Sequence, residues 1–211
     1  MLTARQWIDA LELEPHVEGG YFRRTFQADR RPPVPTPRGE RLLLTSIHYL
    51  LTEESPIGYW HLNRSDILHF HHSGAPLTYH LIHPDGRAES LLLGQDPRQG
   101  QALTLAVPGG VWKATSLDCG DHALISEAVA PGFDYADMTL GDPDDLTARF
   151  PRHAALIQRY CRPYSARGAG GVRAGGEAPM SVTPPGGRSQ VSGTKESSDS
   201  GRVWPPSTTS V

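Results

Sequence analysis

Short segments in which apolar and polar residues alternate fill most of the chain between residues 21 and 130. Alternation with a period of two is typical of β-strands that bury one face. Residues 29–40 carry four Pro and are predicted to form a loop. We predict strands at residues 21–27, 43–51, 59–62, 67–72, 77–83, 88–93, 102–107, 111–116 and 123–130. Many short strands separated by Gly, Pro, Asp and Ser turns indicate an antiparallel sandwich or barrel.

Helical spacing flanks this β-rich region on both sides. Thr3 and Gln6 match a capping box, and the apolar residues that follow predict a short amphipathic helix over 3–12. Residues 142–150 and 153–160 are also predicted to be helical, because each has Pro near its start and apolar residues at helical intervals. The fold class is therefore all-β with short N- and C-terminal helices.

The composition changes after residue 164. Residues 165–211 contain nine Gly, nine Ser and five Pro, and no Leu, Ile or Phe. Such a segment buries too little apolar surface to offset its ordering entropy, so we predict a disordered C-terminal tail. The expected organisation is one folded domain over 1–164 and a tail over 165–211. All ten His lie in the folded part.

Charge and cysteine content exclude several classes of protein. The chain has 20 basic and 23 acidic residues, and the basic residues are dispersed, which argues against a nucleic-acid partner. No apolar run is long enough for a membrane span, and the N-terminus lacks the pattern of a signal peptide. Two Cys cannot build a disulfide framework. These features predict a cytoplasmic protein with no nucleic-acid or membrane partner.

Four separated motifs resemble the cupin superfamily, in the order in which that superfamily has them. They are Glu14-Pro15-His16-Val17-Glu18-Gly19-Gly20-Tyr21-Phe22, the segment from Trp60 to Phe70, Val107-Pro108-Gly109-Gly110-Val111-Trp112-Lys113, and Ala130-Pro131-Gly132-Phe133-Asp134. The chain is most similar to the uncharacterised cupin 5 branch, over roughly residues 4 to 160. The resemblance implies an RmlC-like jelly-roll β-barrel with an internal ligand pocket and, often, a homodimer.

The resemblance also implies where a metal ion would bind. Metal-binding cupins use His-x-His and a following Glu from the first motif and a His from the second. The corresponding positions here hold His61, Asn63 and Lys113. Asn is a poor ligand for a transition metal, and a protonated Lys repels a cation. A different set, His61, His69 and His71, could bind a divalent transition metal instead if the strand register brings the three together.

A metal-free pocket is the leading interpretation, so that no cofactor is required. His61 titrates near neutrality and suits proton transfer, with Asp66 or Glu127 as its partner carboxylate. Lys113 is the only Lys in residues 1–164, and inside a barrel it could act as a base, as a nucleophile or as a partner for an anion. The catalytic candidates are therefore His61, Asp66, Lys113 and Glu127. This assignment requires His61 and Lys113 to face the same interior.

Aromatic and amide side chains near these positions are candidates for ligand binding. We select Trp60, Asn63, Tyr79 and Trp112, since rings provide flat walls for a ring-shaped ligand. The first functional hypothesis is a small-molecule-binding cupin that acts as a metal-independent isomerase or epimerase on a sugar or carbonyl compound. The alternatives are a metal-dependent oxygenase or isomerase and a non-catalytic binding or structural dimer.

Overall fold

The computed structural model describes residues 2–163, which form fourteen strands and three α-helices. The helices are α1 (Ala4–Leu11), α2 (Pro143–Arg149) and α3 (Ala154–Tyr160). The strands are β1 (Glu14–Pro15), β2 (Tyr21–Gln27), β3 (Val34–Thr36), β4 (Gly39–Arg41), β5 (Thr45–Thr52), β6 (Ile57–Asn63), β7 (Asp66–Gly74), β8 (Leu77–Ile82), β9 (Ala88–Leu93), β10 (Gln101–Ala102), β11 (Thr104–Val107), β12 (Trp112–Ser116), β13 (His122–Ala130) and β14 (Met138–Leu140). Single 3₁₀ turns lie at Pro97–Gln99, Tyr135–Asp137 and Pro151–His153.

Two six-stranded sheets form the walls of the barrel. The first has the strand order β1-β2-β5-β13-β7-β11, and the second has the order β10-β9-β8-β12-β6-β14. Strand pairs in both sheets are antiparallel, except for the short parallel pair of β10 with β9. The predicted all-β cupin barrel with flanking helices is confirmed.

The helices cover the outer faces of the sheets. The Thr3 hydroxyl accepts a hydrogen bond from the Gln6 backbone, and the Gln6 side chain accepts one from the Thr3 backbone, so the predicted capping box is present at α1. Helix α1 packs beside Leu50 and Leu124 of the first sheet. Helices α2 and α3 bury an apolar layer against the outside of the second sheet, and Trp60 and Trp112 lie in this layer.

The region predicted as a proline-rich loop contains a two-stranded hairpin, β3 with β4. Pro35 is tolerated there because each strand of an isolated hairpin has a free edge, where a missing backbone N–H breaks no ladder. The two-residue strands β1 and β10 and the three-residue strand β14 were also not predicted, since such short pairings leave no readable alternation. The predicted tail lies outside the described residues.

Apolar side chains fill one end of the barrel interior. This cluster comprises Tyr49, Leu51, Leu77, Tyr79, Leu93, Leu117, Ala123 and Ile125. The rest of the interior carries buried polar and charged side chains, which are expensive to bury unless they are paired. None of the helices in residues 2–163 is both long and apolar enough to cross a membrane.

Candidate functional site

One row of directly paired residues crosses the inner face of the first sheet. Arg24 of β2 pairs with Ile47 of β5, which pairs with Glu127 of β13. Glu127 in turn pairs with His69 of β7, and His69 with Leu105 of β11. Because directly opposite residues of neighbouring strands face the same side, all five side chains point into the barrel. The row places a carboxylate beside an imidazole in the interior.

The second sheet adds His61 of β6 and Lys113 of β12, which are directly opposite each other. Both side chains are buried, Lys113 with 2% and His61 with 4% of its surface exposed. Lys113 reaches across the interior, where its Nζ lies 2.8 Å from Nε2 of His69 on the first sheet. The structure therefore places the amine of Lys113 and the imidazole of His61 in one interior, as the sequence hypothesis required.

Lys113, His69 and Glu127 form a buried charged cluster. The Lys113 ammonium lies 3.6 Å from Oε2 of Glu127, and Nε2 of His69 lies 3.5 Å from Oε1 of the same carboxylate. Nδ1 of His69 lies 3.3 Å from the carbonyl oxygen of Leu105, which can only accept a hydrogen bond. Nδ1 thus carries the ring proton, and Nε2 accepts from the ammonium. The ammonium is stabilised by one neutral and one anionic partner.

Glu18 forms a second polar cluster with His61 and His16. Its Oε2 lies 3.3 Å from Nε2 of His61 and 3.5 Å from Nδ1 of His16. His61 is oriented by its own strand, because Nδ1 donates to the carbonyl oxygen of Tyr59 at 2.7 Å. Nε2 of His61 and the Glu18 carboxyl group therefore lie side by side, without a hydrogen bond between them.

The turn that carries Glu18 is anchored by the barrel wall. The backbone N–H of Tyr59 donates to the carbonyl oxygen of Glu18 at 2.7 Å, and the Tyr49 hydroxyl donates to the carbonyl oxygen of Gly19 at 2.8 Å. Gly19 has φ +91°, and a Cβ there would overlap the carbonyl oxygen of Ile57. Only glycine allows this close approach, which holds Glu18 in the interior.

Burial changes the protonation of these groups. Burial raises the pKa of Glu18 to about 8, although the charge of Lys113 opposes the rise and that of Glu127 adds to it. Burial lowers the pKa of His16 to about 4, with a further contribution from Lys113. The pKa values of His61 and His69 are also held well below their usual range, first by burial and then by Lys113. Near neutral pH, Glu18 is therefore mostly protonated and these three imidazoles are neutral.

The raised pKa of Glu18 predicts a loss of stability at alkaline pH. Folded Glu18 keeps its proton up to about pH 8, whereas an ordinary Glu loses it near 4.5, so this contribution falls as the pH rises between those values. The buried histidines contribute in the opposite direction until the pH is well above their ordinary value of 6.5, but they do so equally in any variant that keeps them, so the Glu18 effect is read from the difference between wild type and variant. From pH 6.5 to 8, Glu18 should therefore lower the free energy of unfolding by about 2 kcal/mol.

Urea unfolding of wild type and of Glu18→Gln at pH 6.5 and pH 8 measures this effect. The change between the two pH values should be about 2 kcal/mol more negative in wild type than in the variant. Glu14→Gln is the matched control, because it alters an exposed carboxylate of the preceding strand β1 and should show the wild-type change. Equal changes in wild type and Glu18→Gln would contradict the buried, protonated state of Glu18.

A cavity beside Glu18 connects the interior to solvent. The cavity is lined by residues of both sheets and of the loop after β13. These are His16, Glu18, Phe22, Arg24, Thr45, Ile47, Asn63, Ile67, Glu127, Val129, Phe133 and Tyr135. Its apolar walls surround a few polar groups, as is usual for small-molecule sites.

Several buried polar atoms of the interior form no hydrogen bond within residues 2–163. They are Oδ1 of Asn63, the hydroxyl of Tyr79, Nε of Arg24, Nδ1 of His71 and Nε2 of His61, which lies 3.3 Å from Glu18 without hydrogen-bond geometry. Asn63 lines the cavity directly, and the ring of Tyr79 packs edge-on against His69 with centroids 4.9 Å apart. Buried polar groups are rarely left without partners, so these atoms indicate a place for a polar ligand or for water.

The structure brings together His61, Lys113 and Glu127 from the predicted catalytic group and leaves Asp66 outside. Asp66 is exposed at the start of β7, and its Oδ1 accepts a hydrogen bond from the backbone of Gly109 at 2.8 Å. Its role is to hold the turn between β11 and β12. The expectation that Asp66 lies in the pocket is corrected accordingly.

Two of the four predicted ligand-binding residues lie on the outer face of the second sheet and not in the interior. Asn63 and Tyr79 face the interior, whereas Trp60 and Trp112 face the helices on the outer side of the second sheet. Successive residues of a strand point to opposite faces, so the inward positions of His61 and Lys113 force both Trp outward. Trp60 Nε1 lies 3.4 Å from the carbonyl oxygen of Leu156 in α3.

The predicted three-histidine metal set is not assembled. His69 and His71 share the inner face of β7, but Nε2 of His71 lies 2.9 Å from the carbonyl oxygen of Ala75 and Nε2 of His69 faces Lys113. Within residues 2–163, no three His, Cys, Asp or Glu side chains are arranged as a metal-binding group. The three imidazoles are separated because each has a different partner.

Three side chains of the site were not among the candidates selected from the sequence: His16, Glu18 and Arg24. His16 and Glu18 belong to the first of the family motifs, so their signal was present in the sequence. Their position beside His61 depends on a turn that packs on β6, which no local pattern reveals. Arg23 and Arg24 are adjacent on β2 and so face opposite sides, and Arg24 is the one that faces inward.

Comparison with known proteins is consistent with this architecture. The model of the family described as cupin superfamily (DUF985) matches residues 5–141. The chain belongs to this family. The proposed resemblance to the cupin 5 branch is thereby confirmed.

Three relatives extend this comparison. An uncharacterized protein of Saccharomyces cerevisiae is 38% identical over 159 residues, which cover 68% of this chain and 77% of the yeast protein. A hypothetical protein from Leishmania major is 32% identical and superposes with a TM-score of 0.70, and the match covers 76% of this chain and 99% of the Leishmania chain. A protein from Shewanella oneidensis is 31% identical, with coverages of 78% and 100% and a TM-score of 0.71. The two superpositions support the fold, and none of the three names states a reaction.

The side chains of this cupin do not fit the metal site that the superfamily implies. Asn63 occupies the place of a histidine ligand, and its Oδ1 has no partner within residues 2–163. Lys113 occupies the place of the second-motif histidine, and its ammonium is already the cation that contacts His69 and Glu127. A divalent ion beside a buried ammonium would be repelled at close range. No step of the chemistry below is therefore assigned to a metal.

Proposed function

We propose that this cupin binds a small carbonyl compound, such as a sugar, and catalyses proton transfer at the carbon next to the carbonyl group. The reaction would be an isomerisation or an epimerisation that uses side chains alone. The observation that carries the proposal is the Glu18 carboxyl group, 3.3 Å from His61 Nε2 and directly on the wall of the cavity. Its pKa of about 8 lies close to neutral pH, where a group exchanges protons most effectively.

Each side chain has a distinct role in the proposed step. The Glu18 carboxylate accepts the proton from carbon, the C–H bond breaks, and its electron pair moves toward the carbonyl oxygen to form an enolate. The Lys113 ammonium, a fixed positive charge in the interior, stabilises that oxygen. His61 lies against the Glu18 carboxyl group, with Nε2 at 3.3 Å from Oε2, and holds it in place by this contact. Glu18 then returns the proton to the neighbouring carbon, which bears the hydroxyl group, and that hydroxyl group passes its own proton to the enolate oxygen. The carbonyl group has thereby moved by one carbon, and the isomerisation is complete without a net change in charge.

Glu127 is a positioning residue in this scheme. Its carboxylate lies 3.6 Å from the Lys113 ammonium, and it keeps that ammonium at the centre of the barrel. Asn63 and Tyr79 have polar atoms in the interior without a partner in residues 2–163, and they are available to bind hydroxyl groups of the substrate.

Deuterium exchange tests the proposal, because any substrate that loses the proton next to its carbonyl group gives the same signal. Full-length protein is incubated in D₂O with a panel of aldoses, ketoses, 2-oxo acids and their phosphate esters, and proton NMR follows that position. We expect exchange in at least one compound, and we expect it to persist after treatment with a chelator. Absence of exchange across the panel, or its loss on chelation, would contradict the proposal.

The predicted association into a homodimer stays a prediction. Sedimentation equilibrium of the full chain is the measurement that checks it.

A further inference from the structure

Arg24 is a charged side chain at the cavity that the proposed proton transfer does not use. It lies on the inner face of β2, its Nε is buried without a hydrogen-bond partner, and no carboxylate of residues 2–163 forms an ion pair with it. The neighbouring Arg23 points outward and forms an ion pair with Glu12. Of these two adjacent arginines, only Arg24 therefore brings an unpaired charge to the cavity.

The charges around the cavity sum to a positive value near neutral pH. Glu18 is mostly protonated there, because burial raises its pKa to about 8. The charge of Glu127 is balanced by Lys113, 3.6 Å away. The positive charge of Arg24 is left over, and a partly buried guanidinium without a counter-ion favours an anionic ligand.

Aromatic side chains line the same cavity as Arg24. Phe22 lies next but one to it on β2, and Phe133 and Tyr135 come from the loop after β13. The rings of Phe133 and Tyr135 meet edge-on with centroids 5.1 Å apart, and Tyr135 is 54% exposed. Such walls accept a flat or apolar body and do not compete with the guanidinium for an anion.

We propose that the cavity binds small organic anions, with a carboxylate or phosphate group paired to Arg24 and an apolar or ring-shaped body against Phe22 and Phe133. Arg24 and Glu127 are two strands apart, so their Cα atoms are separated by about 10 Å. In this orientation the anionic group lies at the mouth of the cavity beside Arg24, and the rest of the ligand reaches inward toward Glu127. The inference names the substrate class of the proposed proton transfer. It rests on that proposed function only in the assignment of the inner end of the ligand as the end that reacts.

Calorimetric titration with three probes tests the inference. Benzoate and phenyl phosphate carry the two candidate anionic groups, and benzamide is a neutral molecule of the same shape as benzoate. Wild type should bind at least one anion roughly tenfold or more tightly than benzamide. Tighter binding of benzoate assigns the site to carboxylates, and tighter binding of phenyl phosphate assigns it to phosphates. Equal binding of all three probes, or no binding of either anion, overturns the inference.

Two glutamine variants locate the preference. Arg24→Gln should remove the difference between the anions and benzamide, whereas Arg23→Gln should retain it, since Arg23 lies on the outer face and pairs with Glu12. Far-ultraviolet circular dichroism of both variants checks that the barrel is intact. A preference that survives in Arg24→Gln overturns the inference.

The same variants separate this inference from the proposed reaction. If the deuterium-exchange panel shows no exchange while the Arg24-dependent preference for anions is present, the reaction is wrong and the anion site stands. If exchange occurs equally well with neutral and anionic compounds, the anion site is wrong and the reaction stands.

Discussion

Replacing Glu18 by glutamine is expected to lower the rate of deuterium exchange at least about a hundredfold, since a positioned general base contributes roughly 10²–10⁴ to such reactions. Gln has nearly the same shape and can still contact His61, but it cannot accept a proton from carbon. The variant should retain ligand binding, because Arg24 and the aromatic walls are unchanged. Steady-state measurements should therefore show the loss in kcat and little change in KM.

The pH profile provides an independent check on the same residue. Glu18 must be deprotonated to act as the base, and its pKa in the folded protein is about 8. The value of kcat/KM should therefore rise with pH up to about 8 and level off above it. A profile that is flat from pH 6 to 9, or a Glu18→Gln variant with wild-type exchange, would show that another group removes the proton.

Replacing Lys113 by methionine is expected to lower the free energy of unfolding by about 3–5 kcal/mol, the usual cost of removing one partner of a buried charge pair. Methionine fills a similar volume, so the loss reflects charge rather than a cavity. Without the ammonium, the Glu127 carboxylate remains in the interior with no cation, and Nε2 of His69 loses its donor at 2.8 Å. Urea unfolding monitored by fluorescence measures the change.

A double variant and a surface variant serve as controls for Lys113. Lys113→Met combined with Glu127→Gln removes both charges and gives His69 a possible amide donor, so it should regain much of the lost stability. Arg98→Met breaks an exposed ion pair with Asp96 and should leave stability nearly unchanged. A Lys113→Met variant as stable as Arg98→Met, or a double variant no more stable than the single, would contradict the buried pair.

The sequence predicted the fold more completely than the site. Alternation and turn residues are local signals, and they located the long strands and all three helices within a few positions. Residues 57–63 show why the site was harder to predict. Trp60 is fully buried and His61 nearly so, because helices cover one face of β6 and the interior of the barrel covers the other. When both faces of a strand are buried, the alternation of apolar and polar residues no longer shows which face points into the barrel.

Glu18 and Asp66 also show that local sequence does not predict which side chains enter the interior. Both are acidic residues close to a glycine or a turn, and nothing local distinguishes them. Glu18 enters the interior because its turn packs on Ile57 and Tyr59, about forty residues later in the chain. Asp66 stays outside because it caps the turn at Gly109. Contacts between distant segments decide such positions.

By itself, then, the sequence determined the family, the succession of strands and helices, and the presence of His61, Lys113 and Glu127 as candidates. The tertiary structure decided that Lys113 contacts His69 and Glu127 from the opposite sheet, that Glu18 lies beside His61, and that Arg24 faces the cavity. The physical reason is that local pattern sets the conformation of each segment, whereas the pairing register and the packing of two sheets set which side chains meet.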